Sequence, residues 1–199
     1  MALNVNFNSK FIKSPLLIII LSPLIIAAWQ FYNDTLGANP IEEITHITGE
    51  WALRLLLITL AISPARKLFR INGLINLRRL FGVLSFFYVT CHLLIYAILD
   101  QWLDWIAIID DIKDRPYVTV GFAAFVLLIP LAITSTDAMQ RRLQSAWVKL
   151  HKLIYVISIL AILHFWWLVK ADLFEPIIYA SILAVLLGYR VFTRVSPIQ

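Results

Sequence analysis

Six apolar segments dominate this chain, and each is close to the length that crosses a membrane as an α-helix. About 20 mainly apolar residues, with a range of about 17–25, are needed to span a hydrocarbon core of about 30 Å. The segments run over residues 15–32, 46–63, 80–99, 116–134, 151–169 and 177–192. Little sequence remains between them, so we predict an all-α bundle of six transmembrane helices in one domain, residues 15–193. Residues 1–14 and 194–199 would be cytoplasmic tails, and we find no internal repeat.

Composition supports a membrane protein and argues against nucleic acid as a partner. The chain has 199 residues, of which 61% are apolar and 15% charged. Its net charge of +5 is spread over short loops and tails, where basic residues report topology. Most lysines and arginines fall in the N-terminal tail, two of the loops and the C-terminal tail. We therefore expect both termini to be cytoplasmic. Pro64 should end the second span, and residues 100–114 should form an acidic outer loop.

Two histidines stand near opposite ends of the fifth apolar segment. His151 and His164 would lie roughly 20 Å apart along one helix. Ionisable side chains at membrane depth suggest function, and neutral imidazole is a good ligand for iron. Two such ligands at two depths favour two redox centres stacked across the membrane.

His92, in the third span, matches the expected depth of His164, roughly 10 Å below the outer face. Two imidazoles on neighbouring helices can hold a haem iron from both sides, a ligation that favours electron transfer over oxygen chemistry. We therefore predict that His92 and His164 ligate an outer haem b. The alternative for each is a polar residue satisfied within a helix interface.

The inner site is less regular. His151 would ligate an inner haem, and Arg78 stands where a second histidine would be expected. Arg78 could meet a haem propionate, lie near an open axial position, or simply anchor the helix at the cytoplasmic face. Arg54, within the second span, could pair with Glu50 one turn away or with a propionate of the outer haem. His46 is better explained as an interfacial residue.

Several segments carry a family resemblance in their order and spacing. They are LGANPIEEITHITGEWAL, RRLFG, VTCHLLIYA around His92, RPYVTVG, TSTDAMQRRL, and W-x-x-L-H ending at His151, followed by His164. With them the chain resembles the MsrQ (YedZ) family, the haem-binding membrane subunits of a bacterial periplasmic methionine sulfoxide reductase system.

The resemblance implies a ferric reductase-like membrane domain that holds b-type haem between its third and fifth spans. In the related ferric reductases and NADPH oxidases each of these helices supplies two histidines, whereas the third span here supplies only His92. The resemblance also implies electrons passing from quinol or a cytosolic flavin reductase to MsrP, a periplasmic molybdopterin enzyme. FMN is implied by the resemblance alone, since no segment here matches an FMN-binding motif.

Our interpretation is a cytochrome b of the bacterial inner membrane, with one or two haems and no bond-making site of its own. The basic segment around Arg141, Arg142 and Lys149 either reports topology or docks a cytosolic donor. Two alternatives remain, a stand-alone transmembrane ferric or quinone reductase and a haem-free transporter or assembly factor.

Overall fold

The computed structural model describes residues 7, 9–169 and 172–195, and at residues 10, 194 and 195 the backbone alone. Every regular element in these ranges is helical, which confirms the all-α prediction. The helices are α1 (Lys10–Tyr32), α2 (Pro40–Phe69), α3 (Ile75–Ile95), α4 (Trp105–Asp114), α5 (Pro116–Ile133), α6 (Asp137–Leu150), α7 (Leu153–Leu168) and α8 (Phe174–Val195). Most of the two predicted tails, residues 1–6, 8 and 196–199, lies outside the described residues, as does Lys170.

The chain divides into two units, Met1–Ile108 and Ile109–Gln199. In the first unit, α2 packs along α3, and α1 packs against α2. Two fully buried hydroxyls of α3 join these helices. Ser85 donates to the carbonyl of Ala52 in α2 at 2.9 Å, and Tyr88 donates to the carbonyl of Ile20 in α1 at 2.6 Å. Buried hydroxyls need such partners, so these bonds fix how α3 lies against both neighbours.

In the second unit, α5 packs along α7, and α7 packs against α8. The buried residues of α5 are Ala124, Leu128 and Leu131, and those of α7 include Ile154, Ile157 and Ile162. Their spacing of three to five residues places each set on one face of its helix. A single apolar face on each helix therefore holds this pair together.

Several helix boundaries differ from the sequence predictions, and three of the differences change how a named feature is interpreted. Pro64 does not end the second span, because α2 continues through it to Phe69. Proline removes only one backbone donor, and packing against a neighbouring helix can hold such a helix together. The expected acidic loop contains α4, which begins after Asp104, whose Oδ1 accepts hydrogen bonds from the backbone N–H groups of Ile106 and Ala107 at 3.0 and 3.1 Å.

The third difference concerns His151. The fifth apolar segment is not one helix from His151, since α6 ends at Leu150, α7 begins at Leu153, and the two helices are bent by 51°. His151 therefore lies at the break between α6 and α7, and it does not share one helix axis with His164. The prediction that one helix carries both histidines is therefore wrong, and the separation predicted between them stays a prediction.

Four helical stretches within the described residues are long and apolar enough to cross a membrane, and α6 with α7 would make a fifth if the bent pair is one span. They are Phe11–Tyr32, Asn72–Asp100, Pro116–Ile133 and Phe174–Thr193. The second of these is α3 extended by a 3-10 helix, Asn72–Leu74, before it and a π-helix, Tyr96–Asp100, after it. Helix α2 is not among them, and Glu50, Arg54 and its basic last turn all lower its hydropathy. The six-span count and the side of each terminus stay predictions.

Candidate functional site

His92 projects from the last turn of α3 and hydrogen-bonds the backbone of α2. Its Nδ1 lies 3.0 Å from the carbonyl oxygen of Thr45, and the side chain is partly buried. A carbonyl oxygen has no proton to give, so the imidazole must donate through Nδ1–H. In the neutral ring this places the lone pair on Nε2.

His164 makes the same kind of contact in the second unit. It projects from α7, and its Nδ1 lies 2.7 Å from the carbonyl oxygen of Tyr117 in α5. The ring of Tyr117 is tilted against the imidazole, with ring centroids 6.3 Å apart. The same argument assigns the proton to Nδ1 and the lone pair to Nε2.

These two contacts have the form that metal-ligating histidines use. Such a histidine donates its other ring N–H to a carbonyl or carboxylate, which fixes the tautomer and raises the basicity of the ligating nitrogen. His92 and His164 each have this bond, so both fit the requirements of a haem iron ligand. His92 lies in the first unit and His164 in the second, and their sharing of one haem stays a prediction.

His151 is held differently from the other two. Its Nε2 lies 3.0 Å from the hydroxyl of Thr134, which itself lies 2.6 Å from the carbonyl oxygen of Pro130. Two oxygen atoms 2.6 Å apart must share a proton, and only the hydroxyl of Thr134 can supply it. The hydroxyl is therefore the acceptor from His151, and Nε2 carries the proton.

Trp147 fixes the imidazole of His151 further. The two rings are stacked with centroids 3.9 Å apart, and the indole N–H donates to the carbonyl of Thr134 at 2.8 Å. Ligation through Nε2 of His151 would require release of its bond to Thr134. The inner-haem role of His151 stays a prediction.

Arg54 forms the pair that the sequence offered as one of two alternatives. Its guanidinium donates to the carboxylate of Glu50 at 2.6 Å and lies over the ring of Trp51, 5.4 Å from the centroid. Arg54 is 36% exposed and Glu50 27% exposed. The contact with Glu50 accounts for a charge in this part of α2 and leaves the propionate role as a prediction.

Two further residues singled out from the sequence lie within helices, Arg78 in α3 and His46 in α2, because both helices begin earlier than predicted. Arg78 is in the first turn of α3 and is partly buried. His46 is 45% exposed and lies 4.0 Å from a carboxylate oxygen of Glu42, and its interfacial position stays a prediction.

Sequence reasoning missed the acceptors of His92 and His164, because both are backbone carbonyls. The two contacts share one regularity. Thr45 precedes His92 by 47 residues, and Tyr117 precedes His164 by the same 47. Side-chain identity at 45 and 117 gives no hint of these contacts, so the equal spacing becomes visible only once the structure shows them.

Comparison with known proteins gives a consistent set of relatives. Residues 48–162 match the family model of the ferric reductase like transmembrane component. The chain is 54% identical over 185 residues to the protein-methionine-sulfoxide reductase heme-binding subunit MsrQ of Xanthomonas axonopodis pv. citri, covering 90% of this chain and 85% of that one. It is 52% identical over 163 residues to the protein of the same name from Ralstonia nicotianae, covering 80% and 75% of the two chains.

No solved structure matches the chain significantly. Together with the apolar helices, the match to a transmembrane family model makes this a multi-pass membrane protein.

Proposed function

The chain belongs to the MsrQ family of protein-methionine-sulfoxide reductase heme-binding subunits, and we propose that it is a haem b electron carrier of the inner membrane. Electrons would enter from the quinol pool or a cytosolic flavin reductase. They would leave to a periplasmic molybdopterin reductase of the MsrP type, which repairs oxidised methionines in periplasmic proteins. The chain would make and break no substrate bonds itself.

The observation that carries this proposal is the pair of Nδ1–H to carbonyl bonds at His92 and His164. Each bond orients an imidazole and places its lone pair on Nε2, the nitrogen that would bind iron. Bound haem would supply reversible one-electron transfer between its ferric and ferrous states. The apolar helices around these histidines would keep water from the iron, which favours electron transfer over side reactions.

Other residues would bind the haem propionates, a second haem and the cytosolic electron donor. Arg54 and Arg78 are the residues we assign to haem propionates, because guanidinium groups form charge-assisted pairs with carboxylates. His151 would ligate a second, inner haem. Exposed Arg141, Arg142 and Lys149 of α6 give a basic surface for the cytosolic donor.

Optical spectra of protein purified from haem-replete cells test the proposal. We expect the wild type to show the bands of a low-spin b-type haem, and His92→Ala and His164→Ala each to lose most of them. His151→Ala should lose less, because its Nε2 proton is engaged by Thr134. His46→Ala is the matched control, since His46 is exposed and should leave the spectrum unchanged. FMN, if present, would show its own absorption in the same spectra.

Colourless wild-type protein, or full haem content in both His92→Ala and His164→Ala, would contradict the proposal and favour a haem-free role. The ferric reductase match supports a second candidate, a stand-alone ferric or quinone reductase. Reoxidation of the reduced protein separates the two candidates. We expect it to depend on added MsrP-type reductase and methionine sulfoxide, whereas the second candidate requires reoxidation by ferric chelate or quinone alone.

A further inference from the structure

Each of the two carbonyl-bonded histidines lies against a glycine of the neighbouring helix. A Cβ added to Gly49 of α2 would lie 3.1 Å from Cε1 and 3.2 Å from Nδ1 of His92. A Cβ added to Gly121 of α5 would lie 2.6 Å from Nδ1 and 2.9 Å from Cε1 of His164. The imidazole therefore occupies the space that a side chain would fill at each position.

The position of these glycines follows from helix geometry. In both helices the glycine comes four residues after the residue whose carbonyl accepts from the histidine, Thr45 or Tyr117. Residues four apart lie on the same helix face, one turn above the other. A ring that approaches this carbonyl must pass over the residue one turn further on, so a glycine there opens the approach.

We propose that Gly49 and Gly121 are positioning residues for the iron ligands. Each lets an imidazole lie against a helix backbone, so that Nδ1–H reaches the carbonyl and Nε2 is held in one orientation. This inference rests on the proposed function, because it assumes that His92 and His164 bind haem iron.

The bond to the carbonyl has a consequence that a packing role alone would not have. A hydrogen bond from Nδ1–H makes the imidazole a more basic ligand, and a more basic ligand favours ferric over ferrous iron. A methyl group at Gly121 or Gly49 must displace the ring and lengthen this bond. The midpoint potential of the haem should then rise, because the ferric state loses stabilisation.

The glycines of the chain supply a graded series of alanine variants. Gly121→Ala should have the largest effect because its Cβ would be closest to the ring, and Gly49→Ala a smaller one. Gly82→Ala, whose Cβ would meet the methyl of Thr59 at 3.7 Å and its hydroxyl oxygen at 4.0 Å, both ordinary contacts, is the control in the first unit. Gly188→Ala, whose Cβ would meet nothing within 4 Å among the described residues, is the control in the second.

Three properties of each purified variant are measured. These are haem per polypeptide, the midpoint potential from redox titration, and the electron paramagnetic resonance signal of the low-spin ferric haem. We expect Gly121→Ala and Gly49→Ala to raise the potential and shift this signal, in that order of size, while both controls stay at wild-type values. Thermal melting in detergent reports folding separately.

A lowered melting temperature with unchanged potential and resonance signal would overturn the inference, since it would show a structural role only. If Gly121→Ala does not accumulate, Gly49→Ala provides the test with the same measurements, because the His92 ring beside it needs to move only slightly. Failure of the proposed function would give a different result. The wild-type protein would contain no haem, or the His92→Ala and His164→Ala variants would both retain their haem. Unchanged glycine variants of a haem-loaded protein would reject the positioning role alone.

Discussion

The helix pairs α2–α3 and α5–α7 hold a histidine in the same way, yet they differ in the charge of the side chains that follow the glycine. In the first pair Glu50 and Arg54 follow Gly49 by one and five residues and form an ion pair. In the second, Phe122 and Val126 stand at the same offsets from Gly121, and both are exposed apolar residues. What the two pairs share is a carbonyl, a glycine one turn later and an imidazole. The difference teaches that the orientation of the histidine depends on backbone geometry and free space, and we expect the surrounding side chains to affect stability instead.

The largest difference in unfolding free energy between variants of the two helix pairs should come from the ion pair of α2. Arg54→Leu leaves Glu50 without this partner in a largely apolar helix, and we expect a loss of about 2 kcal/mol in unfolding free energy. The double variant Glu50→Gln, Arg54→Leu should recover at least half of that loss. Unfolding in mixed detergent and sodium dodecyl sulfate, followed by circular dichroism, measures both.

The counterpart in α5 is Val126→Leu, which we expect to leave the unfolding free energy unchanged.

Haem content decides whether Arg54 also binds a haem propionate. If it does, the double variant regains stability and still binds haem less tightly than the wild type. Equal stability of the single and double variants would show that the contact between Arg54 and Glu50 is not what stabilises α2.

A smaller effect distinguishes two buried serines. Ser85 of α3 donates across to α2, whereas Ser158 of α7 donates to Ile154 in its own helix at 2.7 Å. Ser85→Ala should cost about 1 kcal/mol, the net worth of a typical hydrogen bond. Ser158→Ala should cost less than about 0.5 kcal/mol, because a serine bonded to its own helix adds little or slightly weakens it. Equal losses in the same unfolding assay would mean that the bond between α3 and α2 is not special.

The smallest effect leaves stability unchanged and concerns proton positions. The chain has four histidines, so nitrogen-15 labelling of histidine gives a simple spectrum of haem-free protein at about pH 8, above the ordinary pKa of imidazole. We expect the Nδ1–H tautomer at His92 and His164 and the Nε2–H tautomer at His151, assigned through the alanine variants. An Nε2–H tautomer at His92 or His164 would break the equivalence of the two helix pairs.

The apolar segments predicted most of the helices, because length and hydropathy directly determine which stretches cross a membrane. Helix boundaries were less predictable, since the sequence around Pro64 and His151 is compatible both with a continuous helix and with a break. Helix α4 had a usable signal, an aspartate at 104 followed by apolar residues at helical spacing. The ion pair of Arg54 with Glu50 was foreseen from its spacing as one of two alternatives.

The candidate ligands were predictable, whereas the way they are held was not. Histidines in apolar surroundings stand out in any sequence, so His92 and His164 were singled out at once. The carbonyls of Thr45 and Tyr117 belong to the backbone, and nothing in a side chain identifies which peptide oxygen an imidazole will meet. The opposite tautomer of His151 depends on the short contact between the hydroxyl of Thr134 and the carbonyl of Pro130, which forms only in the folded chain.

The use of peptide oxygens as acceptors has a consequence for how such a protein tolerates genetic change. Every amino acid carries the same carbonyl, so replacement of Thr45 or Tyr117 alters a side chain and leaves the acceptor atom in place. The vulnerable positions are instead the two with no side chain at all, where the smallest possible addition intrudes on the ring. Most side chains around such a histidine can therefore be substituted, and its Nε2 will still point in the same direction.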